Sequence, residues 1–134
     1  MKDSALLFYL DNNLEDLDSY AAISEELGYR VGLYTNGAEM LSVLAHESEK
    51  PSIIFLNAHM PTLHGEEMIT ILKTSDEYKE IPVVMISYAY PKKLVREYLN
   101  KGANHLMKKA LATDLKINLI EVFTLFCPTT SNSE

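Results

Sequence analysis

The chain has 134 residues, which suits one globular domain, with 47% hydrophobic and 23% charged residues, as in ordinary folded proteins. Its net charge of −7 disfavours direct contact with the phosphate backbone of DNA or RNA, and its single cysteine, Cys127, excludes an intramolecular disulfide and a multi-cysteine metal site. Neither an apolar run of membrane-spanning length nor a signal-peptide pattern is found, so we expect a cytoplasmic protein.

Short apolar runs alternate with stretches of helical periodicity along the chain. Asn13 is the expected N-cap of the first helix, with Glu15 and Asp16 in the first turn, where the helix dipole favours acids. Residues 127–134 are polar and are predicted to form a frayed tail. The predicted elements are, in order, strand 5–10, helix 14–27, strand 31–34, a helix through 40–44, strand 52–56, a helix through 68–72, strand 83–86, a helix through 94–99, strand 105–107 and helix 113–126. The apolar stripe of the first helix consists of Leu17, Tyr20, Ala21 and Leu27, and the inward residues of the fourth are Leu94, Val95, Tyr98 and Leu99.

This alternation predicts an α/β fold, a three-layer doubly wound domain over residues 5–126 with a five-stranded parallel sheet between two helical layers. In such folds the functional crevice lies at the carboxyl ends of the strands. Polar residues follow four of the predicted strands, which makes them the candidate site. They are Asp11, Asn12, Asn57, Ser87 and Lys109.

The motifs around these residues resemble the receiver domain of bacterial response regulators, a flavodoxin-like fold. Residues 57–65 are similar to the family pattern D-x-x-M-P-x-x-x-G, with Asn57 where the phosphoacceptor aspartate belongs. Residues 81–87 are similar to the fourth strand, which ends in the family's switch Ser/Thr, here Ser87, and Lys109 follows Gly102-Ala103 at the spacing of the family lysine. The resemblance implies two-component phosphorelay signalling, in which an acidic pocket holds Mg²⁺ and accepts a phosphoryl group from a histidine kinase.

Four positions depart from that pattern. Asn12 replaces the second acid after the first strand, Asn57 replaces the acceptor, Ala110 stands where proline usually follows the lysine, and Leu106 replaces an aromatic residue. An engineered Asn57 that blocks phosphorylation is an alternative, but the accompanying departures favour natural loss of the phosphorylation site.

The departures predict a pocket with one carboxylate, Asp11, opposite Lys109, and a formal charge near zero. Mg²⁺ requires anionic oxygen ligands, so we expect weak or absent metal binding and no cofactor. An acyl phosphate needs a carboxylate nucleophile, which Asn57 lacks. We further expect Lys109 to pair with Asp11, Asn57 to bond to either of them, the Lys109–Ala110 peptide to be trans, and the fold to be more stable than that of an acidic receiver.

The remaining polar candidates are interpreted as structural. His59 and His64 flank the site with a spacing that is weak for a metal site, so solvated loop histidines are favoured, and His46 and His105 are assigned structural roles. Ser87 lacks a His–acid pair to activate it, so its hydroxyl is expected to satisfy the backbone of the following loop. We therefore predict no catalytic residues, no metal site and no enzymatic activity.

The last helix carries more apolar residues than one face can bury. Leu115, Leu119, Val122, Phe123 and Phe126 form the stripe that suits packing on the sheet, whereas Ile117, Ile120 and Leu125 lie outside it. The resemblance implies that the face of the fourth helix, fifth strand and fifth helix contacts partners. The predicted contact residues are Tyr98, Leu106, Ile117 and Ile120.

These patterns favour a stand-alone pseudo-receiver that acts by protein–protein contact without aspartate phosphorylation. Its partner would be a histidine kinase, a downstream effector or, through the same face, a second copy, with no role for nucleic acid or membrane. Two alternatives stay open. One is a phosphorelay carrier with an atypical acceptor or a deamidated Asn57, and the other is a small-molecule-binding protein of the flavodoxin-like fold.

Overall fold

The computed structural model describes residues 4–61 and 63–127. Its strands and helices alternate along the chain. The strands are β1 (Leu6–Leu10), β2 (Arg30–Tyr34), β3 (Ile53–Asn57), β4 (Val83–Ser87) and β5 (His105–Lys108). The helices are α1 (Leu14–Glu26), α2 (Gly37–His46), α3 (Gly65–Lys73), α4 (Lys92–Lys101) and α5 (Ala112–Phe126).

The five strands form one parallel sheet in the order β2-β1-β3-β4-β5. Leu7 of β1 is in register with Val31 of β2 and with Ile53 of β3. This topology confirms the predicted three-layer, doubly wound, flavodoxin-like fold. The central strands are apolar along most of their length because both faces of the sheet are covered by helices.

Alternate residues of each strand face opposite helical layers, as the two-residue period of a strand requires. In β3, Ile53 and Phe55 pack with α1 and α5, whereas Ile54 and Leu56 pack with α2, α3 and α4. All these side chains are fully buried. The sheet is thus held rigidly between two apolar layers, and its polar residues are confined to the strand ends.

Two predicted placements are wrong. Leu99 of α4 was expected to point inward, but it is 48% exposed because the neighbouring Tyr98 occupies the inward position. Cys127, expected to start a frayed tail, is buried and caps α5 through its N–H, which donates to the Phe123 carbonyl. The rest of the predicted tail, residues 128–134, lies outside the described residues.

A close contact at Gly65 folds the loop after β3 back onto the strand end. A Cβ atom at this position would lie 2.6 Å from Met85 Cε and 3.1 Å from the Ala58 Cα, so a larger residue would displace the Met85 side chain and crowd the Ala58 backbone where α3 starts. Within the ranges given above, no helix is both long and apolar enough to cross a membrane.

Candidate functional site

The residues predicted from the strand ends meet at one edge of the sheet. Lys109 Nζ lies 2.9 Å from Asp11 Oδ2, and the Lys109 backbone N–H donates to the Ser87 carbonyl at 2.8 Å. Asn57 Nδ2 donates to Asn12 Oδ1 at 3.1 Å. Four strands therefore contribute to a single polar site, in which the predicted ion pair between Asp11 and Lys109 is confirmed.

A second carboxylate also binds the lysine. Asp16, in the first turn of α1, places Oδ2 2.8 Å from Lys109 Nζ. We call Asp11, Asp16 and Lys109 the Lys109 clasp. Its members are 0%, 26% and 7% exposed at their side chains, so the pair of Asp11 with Lys109 is shielded from water while Asp16 closes the rim. The prediction of a single carboxylate was wrong, because two carboxylates face one ammonium.

The local sequence explains why Asp16 reaches the site. Asn13 caps α1 by accepting the Asp16 N–H at 2.9 Å, which fixes where the helix begins directly after β1. Asp16 and Tyr20 are four residues apart, so both lie on the side of α1 that turns toward the pocket. The sequence pattern assigned Asp16 only to the helix dipole and did not predict its contact with Lys109. The four-residue spacing to Tyr20 could have indicated that Asp16 faces the pocket.

Asp11 is fully provided with donors. Its Oδ1 accepts the Asn13 N–H at 3.0 Å, and its Oδ2 accepts the Tyr20 hydroxyl at 3.1 Å in addition to the ammonium. Burial, and then the neighbouring charges of Asp11 and Asp16, raise the pKa of Tyr20 far above its ordinary value. Tyr20 therefore stays a neutral donor, and sequence reasoning had assigned it only to the core.

The lysine stays charged in this site. Burial alone would lower the pKa of Lys109, but its hydrogen bonds to Asp16 and Asp11 outweigh that effect and raise the pKa above the ordinary value. The Tyr88 ring, which is mostly exposed, covers the ammonium from outside at 5.1 Å from ring centroid to Nζ. Lys109 is thus a permanent cation held by two carboxylates and an aromatic ring.

Asn57 lies in a different set of contacts from those predicted. Its Nδ2 donates to Asn12 Oδ1 and to the His59 carbonyl at 3.2 Å, and lies 3.7 Å from Met60 Sδ, instead of bonding to Asp11 or Lys109. The side chain is 5% exposed. The amide group thus serves as a buried donor that joins the ends of β1 and β3 to the following loop.

Ser87 behaves as predicted, with one addition. Its hydroxyl donates to the Ala89 carbonyl at 2.9 Å, so it satisfies the loop backbone. Its Oγ also lies 3.4 Å from Nε2 of the exposed His59, a contact between the β3 and β4 loops that the sequence did not predict. The Lys109–Ala110 peptide bond is trans, as expected.

Comparison with known proteins identifies the family. Residues 8–121 match the family model described as the response regulator receiver domain. The chain belongs to this family. It is 24% identical over 110 residues to the putative two-component response regulator ARR20 of Arabidopsis thaliana, covering 82% of this chain but 24% of that protein. It is 29% identical over 100 residues to the two-component response regulator ORR3 of Oryza sativa, covering 75% of this chain and 76% of ORR3.

Structural comparison agrees with the family assignment. The chemotaxis protein CheY4 of Vibrio cholerae superposes with a TM-score of 0.82 at 18% identity, over 92% of this chain and 98% of CheY4. This likeness establishes the fold. The matched region spans only about a quarter of the length of ARR20, so the likeness concerns that part of ARR20 alone.

The predicted partner residues of the receiver domain differ in exposure. Ile117 and Ile120 are 59% and 42% exposed on the outer side of α5, as predicted. Leu106 is half-buried. Tyr98 is only 3% exposed, so its prediction as a contact residue is wrong: its ring packs edge-on against Tyr90 in the layer between sheet and helices.

The histidines of the receiver domain do not gather into a metal site. His46 Nδ1 lies 2.7 Å from the Ser42 carbonyl, and the His105 ring packs against Phe126, so both have structural contacts. The His64 N–H donates to Glu67 Oε1 at the start of α3. Among residues 4–61 and 63–127, no three His, Cys, Asp or Glu side chains form a group suited to a metal ion.

Proposed function

We propose that this receiver domain signals through contact with another protein and does not use aspartate phosphorylation. The observation that carries the proposal is Asn57, the last residue of β3, whose buried amide donates to Asn12 and to the His59 carbonyl. The resemblance to response regulators assigns the phosphoacceptor role to this position. An amide nitrogen committed to two acceptors offers no carboxylate oxygen to attack phosphorus.

The same pocket is poor in ligands for Mg²⁺, the cation that the family resemblance implies. Both oxygens of Asp11 already accept hydrogen bonds, and Asp16 is paired with Lys109. Asn57 directs its NH₂ group at Asn12 Oδ1 and at the His59 carbonyl oxygen. A hard cation needs free anionic oxygens, so the residues present do not fit Mg²⁺ and we propose that it binds weakly or not at all.

The output surface that we propose is the exposed side of α5 together with the edge strand β5 and with α4 on the opposite face of the sheet. Its apolar side chains lie at the surface without cover from the rest of the described chain, which is typical of a docking surface. The occupant is a protein partner, either a histidine kinase or a downstream effector, or a second copy of the domain. The exposed residues are Leu99, Ile117, Ile120 and Leu125.

Phosphorylation is tested directly with a small phosphodonor. The domain is incubated with acetyl phosphate and MgCl₂, and its intact mass is measured. We expect no gain of a phosphoryl group, whereas a stoichiometric gain that maps to the pocket would contradict the proposal and favour a phosphorelay carrier. An active receiver treated in parallel shows that the donor works.

Partner binding is tested by comparing three variants in a pull-down. Asn57→Asp is expected to capture the same partner as the wild-type domain, because binding does not depend on phosphate. Ile117→Ser combined with Ile120→Ser should lose the partner, whereas Ile71→Ser, which changes a 38% exposed isoleucine of α3, should retain it. Capture that requires Asn57→Asp with a phosphodonor would overturn the proposal.

A further inference from the structure

Lys109 is a nearly buried cation with partners on three sides. Its Nζ has two carboxylate oxygens at 2.8 and 2.9 Å, and the face of Tyr88 lies on a third side. Asp11 directly follows β1, Asp16 lies in α1, and Tyr88 lies in the loop after β4. A buried ammonium with this number of partners is a structural cation rather than a mobile surface charge.

We propose that the Lys109 ammonium is the built-in cation of this pocket and that the clasp excludes divalent ions. This inference deepens the proposed function and rests on it, because a pocket closed by its own lysine is not available to Mg²⁺ or phosphate. Asp16 is the residue on which the clasp depends. With Asp11 alone the lysine would have one anionic partner, and with Asp16 it is fixed between two.

The charges of the clasp explain the exclusion. Two carboxylates and one ammonium leave a single formal negative charge, and both oxygens of Asp11 and one of Asp16 already accept hydrogen bonds. Entry of a divalent cation requires Lys109 to leave, and the departing ammonium would lose both partners while it is still near the cation. Removal of the lysine charge should therefore convert the clasp from a site that is already occupied by a cation into one that binds divalent ions.

The test replaces Lys109 by methionine, which keeps the length of the side chain without its charge. In metal-free buffer Lys109→Met should melt below the wild-type domain, because Asp11 and Asp16 then lack a cation. Saturating Mg²⁺ should raise the Tm of this variant by about 5–10 °C, and the wild-type Tm by less than about 1 °C. Ca²⁺ should act at least as strongly, since its ligand distances are closer to those of the ammonium.

Two matched variants separate the clasp from general effects of salt. Lys108→Met removes an exposed neighbouring lysine and should show neither destabilisation nor rescue. Asp16→Asn should be destabilised but not rescued by Mg²⁺, because Asp11 and Lys109 still neutralise each other. Equal effects of Mg²⁺ on Lys109→Met and on Lys108→Met would overturn the proposal.

A measurement on the wild-type domain keeps the inference testable if Lys109→Met does not fold. The ¹⁵Nζ resonance of Lys109 should be detectable by NMR as a protected ammonium, unchanged by 10 mM Mg²⁺ and lost in Asp16→Asn. Displacement of this resonance by Mg²⁺ would refute the clasp. If Mg²⁺ displaces the resonance but the wild-type protein gains no phosphoryl group from acetyl phosphate, only the clasp is refuted. If the pocket is phosphorylated, the proposed function is refuted as well.

Discussion

The pocket and the outer side of α5 differ in where their side chains find partners. In the pocket, Asp11 is fully buried and each of its oxygens accepts a hydrogen bond from within the chain. On α5, Ile117 and Leu125 are 59% and 57% exposed and are outside both apolar layers. The strand-end pocket is thus internally satisfied, whereas the helix surface presents apolar groups to the outside.

This difference places the groups that stabilise the pocket apart from the surface proposed for signalling. A buried charge that lost its partner would cost several kcal/mol, so the pocket is fixed by its own contacts. An exposed isoleucine adds little to the stability of the isolated domain, so the outer side of α5 is free to serve the contact proposed above. Under the proposed function, a pocket without phosphate chemistry would leave the proposed output surface unchanged.

The largest expected effect is on the inner side of α5. Leu119 is fully buried, and Leu119→Ala should lower the free energy of unfolding by about 3–5 kcal/mol because it leaves a cavity beneath the helix. Ile117→Ala, two residues away on the outer side, should change it by less than about 0.5 kcal/mol. Urea denaturation measures both, and similar losses would show that the outer side is also part of the core.

Removal of the buried acid comes next. Asp11→Ala leaves the Tyr20 hydroxyl and the Asn13 N–H without an acceptor and leaves Lys109 with Asp16 alone. We expect a loss of about 2–3 kcal/mol, less than for an isolated buried pair because one carboxylate remains. Asp18→Ala, which changes an exposed aspartate of the following helix α1, is the control. Equal stabilities of the two variants would mean that the clasp contributes nothing.

The fold could be predicted from the sequence because the central strands β1, β3 and β4 are almost entirely apolar. Runs such as 53–56 and 83–86 bury every residue, so their composition identified a parallel sheet before any geometry was known. The strand ends then located Asp11, Asn57 and Lys109, since parallel strands finish at the same edge.

Two features could not be predicted from the sequence: contacts between residues far apart in the chain, and the rotation of a helix about its own axis. Asp16 binds a lysine 93 residues later in the chain, and no local pattern reports such a pair. Tyr98 and Leu99 are adjacent and both apolar, yet one is buried and the other exposed, because consecutive helix positions differ by about 100° of rotation. Helical periodicity identified the side of α4 that faces the core, but it did not show which residues at the border of that side are buried.

A smaller effect on stability is expected when Asn57 is replaced by aspartate, the residue that the family pattern has at the phosphoacceptor position. Asn57→Asp removes the donor that bonds to Asn12 Oδ1 and to the His59 carbonyl, and it places a carboxylate beside both oxygens. The Tm should fall, with a loss of about 1–2 kcal/mol at neutral pH. Met60 is beside the same amide, and Met60→Leu serves as a packing control. A higher Tm for Asn57→Asp would contradict the claim that the amide stabilises this pocket.

The smallest effect appears only in alkaline solution, and it again separates the two regions. The pKa of Lys109 is raised above 10.5 and that of Tyr20 above 10.0, so both groups hold their protons longer in the folded state than in the unfolded state. Stability from these groups is complete below pH 10.0 and is lost as the pH rises further. Tyr20→Phe should flatten this loss, whereas Ile117→Ser should leave it unchanged, because Ile117 lies outside the pocket. Urea midpoints between pH 8 and 11 measure it, and identical slopes for the wild type and Tyr20→Phe would show that the folded pocket does not hold the tyrosine proton.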